Sequence, residues 1–399
     1  MAKTKTLADV PWDLAFEAQQ AALMRLQLYM IGRTHELLGA LADRARDALV
    51  KAAGEDGKLD SVGFYLVQTE IEKAWAEMFG EWKRVFSGLR WEAGSLPFGT
   101  LAVLFERFIG VTKEEQRRSN EGARLEEQEG IVAVYEPQLK SILEAARARI
   151  YGDGFNLSQR IWRLDQASLA EIRRILAAGV AGGRSAWQMA EDLQGQLGAG
   201  SECPRWTSTR LYGRTKSDIA SGDKTGLYSG DECRGQGVAY NALRLARNEL
   251  QIVHARATDD VLRNSPWVEK ERICLSPSHP AISCRCEEVV SGGENGDGVY
   301  PVGTVILPIH VQCLCRKEGV LMDEAEFVRR MRGWMNGVES WPKMDSFSDY
   351  LGVGIPGEIG TVNVAVGIAN SLVTWLWGDE SGLDAAVADG RPGIQLPLL

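Results

Sequence analysis

Ser276-Pro-Ser-His279-Pro-Ala-Ile-Ser-Cys284-Arg-Cys286, answered downstream by Pro308-Ile-His310-Val-Gln-Cys313-Leu-Cys315, is the stretch on which the fold turns. Five of the seven cysteines and two of the four histidines fall between Cys274 and Cys315. A tetrahedral metal site draws thiolates and imidazoles from two close pairs that the fold brings together. The pairs here are Cys284-x-Cys286 and Cys313-x-Cys315, with His279 and His310 just upstream of each. One such site takes at most four of these donors, so the others have another task. Three readings stay open. The residues can hold a structural zinc. They can be buried thiols packed as small hydrophobes beside hydrogen-bonded histidines. They can form a disulfide between the segments, such as Cys286 with Cys315.

Working outward, Val268 to Leu275 reads as a strand and so does the β-branched run Val299 to Leu307, with a glycine-rich loop at Gly292 to Gly298 between them. Upstream, Val238 to Arg263 reads as one amphipathic helix with Leu243, Leu250, Val253, Ala257 and Val261 facing inward. A small sheet around the cysteine cluster is therefore expected. No nucleotide-binding glycine loop is present, because Gly293-Glu-Asn-Gly-Asp-Gly298 lacks both the GxGxxG spacing and a strand-to-helix context.

The first half reads as helical. Leu23, Leu26, Met30, Leu37, Leu38 and Leu41 mark a helix from about Trp12 to Ala53, which ends at Gly54-Glu-Asp-Gly57. Phe64, Val67, Ile71, Trp75, Met78, Trp82 and Val85 recur at steps of three and four on a second. Ser95-Leu-Pro-Phe-Gly99 reads as a turn into a further helix, Leu101 to Ile109, and the charged run Val111 to Gly130 as a solvated helix or connector. Short helices follow from Val132 to Leu197. Ser158 is expected to cap one, Ser168-Leu-Ala-Glu171 has capping-box spacing, and Gly179, Gly182 and Gly183 break the pattern. The division expected is 1–130 helical, 131–200 a second helical region, 201–237 a linker, 238–322 an α+β domain and 323–399 a C-terminal tail.

The chain has 399 residues, 45% of them hydrophobic, and a net charge of −9. That charge disfavours generic DNA binding, so any nucleic-acid contact needs a local patch. One exists: Arg205, Arg210, Arg214, Lys216, Lys224, Arg234, Arg244 and Arg247 outnumber Asp218, Asp223, Asp231 and Glu232 by four. It reads as a solvated linker or as an arm for DNA or an acidic protein surface. The N-terminus has no apolar signal core, and Thr361 to Gly378, with Asn363 and Asn370, is marginal for a bilayer. No stable membrane insertion is expected.

In order, Arg247-Asn-Glu249, Leu275-Ser-Pro-Ser-His-Pro280, Cys284/Cys286, Gly298-Val-Tyr-Pro301 and Pro308-Ile-His-Val-Gln-Cys-Leu-Cys315 resemble the MuF-like head morphogenesis domain of tailed-bacteriophage minor head proteins. Tyr135-Glu-Pro-Gln-Leu139, Leu157 to Asp165 and Ser185 to Leu193 are similar to the helical region that precedes it. The resemblance covers roughly Val132 to Val320. It departs at Val311, where the family usually has Pro, at Cys274, where an aromatic is often seen, and at Cys284 and Cys286, two cysteines where one is usual.

The resemblance implies a non-enzymatic minor head (minor capsid) protein, made in the host cytoplasm and added to the procapsid near the portal. It would end in the virion, inside the capsid, supporting head assembly and DNA packaging or ejection. Its partners would be portal, capsid or scaffold proteins, with DNA met through the basic arm. Arg247 and Glu249 are a candidate structural pair reaching toward the cluster domain. The expected fold class is α+β, a largely helical N-terminal region followed by a small α+β domain with a Cys/His cluster. The competing class is a zinc-dependent enzyme, a nuclease or toxin-like module, with Glu287 and Glu288 beside the cluster as candidate bases.

Overall fold

The structure, a computed structural model, describes residues 12–118, 131–198, 237–276, 285–310 and 313–351. It is mostly helical, with a small three-stranded antiparallel sheet in the C-terminal region, the α+β arrangement expected.

Helix α1 (Trp12–Ala52) and helix α2 (Ser61–Arg118) form an antiparallel hairpin. The Gly54–Gly57 segment makes the turn, and Gly57 adopts φ +73°. The apolar stripes meet as their spacing requires. Leu23, Met30, Leu38, Val67, Ile71 and Trp75 are buried together, and Trp75, Phe79, Trp82 and Phe86 stack in series at centroid separations of 5.5, 5.6 and 5.1 Å. Two indole N–H groups find acceptors: Trp82 donates to Thr34 Oγ1 (3.1 Å) and Trp75 to Asp165 Oδ1 (2.7 Å).

The turn expected at Ser95–Gly99 does not form, and α2 runs through it with Pro97 in its interior. Proline there removes a helix hydrogen bond and crowds the preceding turn, at about 3 kcal/mol. Tertiary burial outweighs that local preference: Ala93, Phe98 and Leu101 are fully inside, and Gly94 lies against Leu139 and Val253. The charged run is helical to Arg118, and residues 119–130 lie outside the described residues.

Helices α3 (Ile131–Ala148), α4 (Leu157–Ala181) and α5 (Ala186–Leu197) follow. The cap of α4 is Asn156 rather than Ser158: the Asn156 side chain accepts from the Gln159 amide, and Gln159 answers the Asn156 amide. Ser158 instead accepts from Arg147 Nε. Ser168 starts no helix. It is buried mid-way along α4, where continuing the ladder leaves no orphan amides to cap, and Glu171 pairs with Arg174. The second capping box is Ser185 with Gln188, opening α5. The break falls at Gly182, which caps α4, and Gly183, whereas Gly179 is buried inside the helix. Residues 199–236, and with them the basic arm up to Arg234, lie outside the described residues.

Helix α6 (Gly237–Asn264) differs from the amphipathic helix expected. It is buried on nearly all sides, including Arg247, Asn248, Glu249, Gln251, His254 and Thr258, because α1, α2, α3, α4 and α5 surround it. Beyond it, β1 (Val268–Cys274) is the centre of the sheet, flanked by β2 (Val299–Pro301) and β3 (Arg316–Leu321). The second strand stops at Pro301, short of Leu307. Pro301 has no N–H to extend the ladder, and Glu271 captures the next amides, Gly303 and Val305, at 2.9 Å each.

Helix α7 (Arg285–Val290) precedes β2, and α8 (Glu324–Met335) and α9 (Pro342–Leu351) close the described chain. The segment expected as a tail thus contributes Phe327, Trp341 and Phe347 to a core around Trp267, shared with Phe16 of α1 and Phe98 of α2. Residues 352–399, including the Thr361–Gly378 run, lie outside the described residues. No described helix is long and apolar enough to cross a membrane.

Candidate metal centre

Three of the six donors singled out in the sequence come together. Cys286 Sγ lies 3.2 Å from His310 Nε2 and 3.7 Å from Cys313 Sγ, and the three ligand atoms all fall within 4.8 Å of one another. Cys286 sits in the first turn of α7. The Gly298-Val-Tyr-Pro301 segment holds that helix in place: Tyr300 Oη donates to the Val289 carbonyl (2.7 Å). Gly298 is required there, because at φ +72° an added Cβ would come within 2.8 Å of the Val290 carbonyl oxygen. His310 and Cys313 are brought together by a turn closed by the Cys313 amide on the His310 carbonyl (3.1 Å).

Cys315 adjoins the group. It lies outside the three-donor group, and its carbonyl accepts from Gln251 Nε2 of α6 (3.1 Å). Gln20 Nε2 of α1 reaches the Leu314 carbonyl (3.4 Å). Both glutamines fix the Cys313–Cys315 segment from outside, the arrangement by which second-layer contacts orient ligands. His279 and Cys284 lie outside the described residues. The four described cysteines, Cys274, Cys286, Cys313 and Cys315, are free thiols, so the Cys286–Cys315 disulfide does not form.

The thiols do not share protons evenly. Hydrogen bonds from Cys286 and Cys315 hold the Cys313 thiol far below its ordinary value, with the Cys315 and Ile309 amides adding to them. Donating to Cys313 and Cys315 pushes Cys286 up, and burial pushes it further. A divalent cation bound here would displace the thiol protons.

The donor set could hold a metal ion, and a tetrahedral zinc site gives the comparison for its dimensions. Ligand bonds of about 2.3 Å to sulfur and 2.0–2.1 Å to nitrogen give tetrahedral edges of roughly 3.8 Å for S···S and 3.6 Å for S···N. The separations of 3.7 and 3.2 Å are close to these, the second a few tenths short.

The other sequence candidates lie elsewhere. Glu249 is fully buried in α6, and its Oε1 accepts from the Tyr151 hydroxyl. Two residues apart, Arg247 and Glu249 leave the helix about 200° apart. Cys274 is on β1, where burial raises its thiol to about 12. His254 is a core residue: its Nε2 meets Gln19 Nε2 (2.9 Å), and burial lowers it to about 3.

Sequence reasoning missed a buried ion triad. Lys317 of β3 donates to Glu271 Oε2 of β1 (3.1 Å) and to Asp259 Oδ1 of α6. Strand alternation could have found Glu271, but a register irregularity between Val268 and Lys270 disrupts the pattern. Comparison with protein-family models, curated proteins and solved structures gives no match.

Proposed function

We propose that this chain is a non-enzymatic minor head protein of a tailed bacteriophage, built into the procapsid near the portal, and that a structural zinc bound by Cys286, His310, Cys313 and Cys315 closes its α+β unit. The observation that carries the reading is the convergence of Cys286, His310 and Cys313 from two segments distant in sequence. The order of the resembling motifs supports the head-protein assignment. Three of them have a structural task in the same unit: Glu249 in the central helix, Tyr300 against α7, and Cys313 and Cys315 leading into β3. When bound, zinc would supply a cross-link between α7 and the segment leading into β3. Gln20 and Gln251 hold the ligand backbone, and Tyr300 holds the helix that carries Cys286.

Two measurements test the two parts. Purified protein is expected to carry one zinc per chain, with Cys313→Ser losing it and a chelator lowering the melting temperature, since site formation is coupled to folding. Metal-free protein with an unchanged melt would reject the centre. Immunoblotting of procapsids and virions is expected to find the chain in both, and absence from both would reject the head-protein reading. Nuclease turnover that disappears in Cys313→Ser would instead select the zinc-enzyme class.

A further inference from the structure

The end of α3, the connector after it and the first two turns of α4 carry Arg147, Arg149, Arg160 and Arg163 beside an exposed tryptophan, Trp162. Arg160 lies 3.6 Å and Arg149 5.2 Å from the Tyr151 ring centroid, and Arg163 lies 4.4 Å from that of Phe155. Tyr151 is itself fixed, because its hydroxyl donates to Glu249 of α6. Arg147 donates to Ser158 Oγ (3.2 Å), which ties the end of α3 to the start of α4. Stacking on a ring holds a guanidinium plane still and leaves its N–H edge free for an oxyanion.

Most of this charge is unmatched. Among the described residues, Arg147, Arg149 and Arg163 have no ion pair, whereas Arg173 and Arg174 further along α4 pair with Glu72 and Glu171 at 2.8 and 2.6 Å. Asp153 is taken by Arg160 (3.0 Å), and Asp165 is held by the Trp75 indole (2.7 Å). Glu144 is the remaining carboxylate of this stretch, against three guanidiniums.

The helix sets these groups side by side. Successive residues of α4 turn by about 100°. With Leu157, Ile161 and Leu164 against the core, Trp162 and Arg163 flank the outward side. Ser158, one turn before Trp162, brings Arg147 to one edge, and Arg160, next to Arg163 around the helix, brings Arg149 to the other. The Trp162 indole is 62% exposed and makes no hydrogen bond or ring contact among the described residues. Its exposed neighbours on that side, Ser158, Gln159, Arg163 and Gln166, are all polar.

Two kinds of partner use tryptophan and arginine together. A protein interface sets them in an apolar centre. Here Trp162 and Ile150 are the large apolar side chains exposed, and the polar ring around Trp162 supplies no such centre. A nucleic-acid strand with unpaired bases offers ring faces to an indole and phosphates to the guanidiniums beside it. A duplex offers the phosphates but keeps its base faces stacked. We propose that this surface binds single-stranded nucleic acid, with a base stacked on Trp162 and phosphates on Arg147, Arg149 and Arg163. The surface is distinct from the basic arm at 201–237 and rests on neither the metal centre nor the head-protein reading.

The test is fluorescence anisotropy of a dye-labelled oligothymidylate titrated with the full chain over a range of salt. Saturable binding is expected, tighter than to a duplex of equal length. Trp162→Ala should weaken it about fivefold or more, the loss of one stacked base, and leave the salt dependence unchanged. Trp162→Phe should keep most of the affinity, since its ring still stacks. Arg149→Gln and Arg163→Gln should each lower the slope of log K against log salt by about 0.7, one phosphate contact on a single strand. The variants are compared in the full chain with unchanged circular dichroism, so any binding through the arm is common to all of them. Undiminished binding by Trp162→Ala and both arginine variants would place the strand elsewhere and overturn the proposal. So would the absence of saturable binding at low salt, a duplex bound as tightly as the single strand, or anionic phospholipid vesicles bound in place of the oligonucleotide.

Discussion

Lys317 shows how much one buried charge can govern. Its side chain is 1% exposed, and its ammonium is shared by Asp259 and a Glu271 that is fully buried. Glu271 in turn holds the amides of Gly303 and Val305, so the lysine fixes the loop that leads to His310. Removing only the cation leaves two carboxylates buried without it. Lys317→Met is therefore expected to destabilise the protein by about 3–5 kcal/mol in urea unfolding, with Glu271→Gln added to it restoring part of the loss. His254 carries a different signature. Burial holds it at about 3, below the ordinary 6.5, so it is neutral when folded and gains a proton once unfolded in mild acid. Its contribution is complete above pH 6.5 and is lost as pH falls toward 3, at about 1.4 kcal/mol per pH unit. Unfolding free energies at pH 7 and pH 5 should differ more in the wild type than in His254→Gln.

Helix packing decides the next scale. Where α2 crosses α3 and α6, a Cβ on Gly94 would lie 2.6 Å from Leu139 Cδ1 and 2.9 Å from Val253 Cγ1. Gly94→Ala improves helix propensity by nearly 1 kcal/mol yet is expected to lower stability by 1–3 kcal/mol, because three helices must move apart. A rise in urea midpoint would show the interface to be loose. This crossing also separates what sequence could reveal from what it could not. The stripes of α1 and α2 are legible because each residue meets the core at its own helical step. The turn expected at Pro97 is not, since the burial that carries the helix through it comes from Leu139 and Val253. The cap lies at Asn156, two residues before the Ser158 expected to supply it. Cys286, His310 and Cys313 were legible from donor type and clustering alone. Glu271 and Lys317 were not, because charged strand residues read as solvent-facing until the bulge at Val268–Lys270 is known. Tyr151 is 98 residues from Glu249, and nothing local announces that pairing.

At the scale of the whole molecule, α6 unites the parts. Its first half lies in the core formed with α1, α2, α4 and α5, and its second half in the core around Trp267. Gln251 on it and Gln20 on α1 both hold the segment bearing Cys313 and Cys315. If Cys286, His310 and Cys313 hold a metal, its loss would leave these two glutamine bonds to hold the segment.

The same wiring sets a timetable. Gln19 and His254 bond across 235 residues, and Phe16 completes its packing against Gly319, near the end of the described chain. At about 5–20 residues per second, a ribosome delivers His254 roughly 10–50 s after Gln19. From the synthesis of Arg118 onward, roughly the second half of that interval, both helices of the α1–α2 hairpin exist while the face that will receive α6 is bare. The nascent chain therefore presents the apolar face of α1 and α2 before the helix that covers it exists.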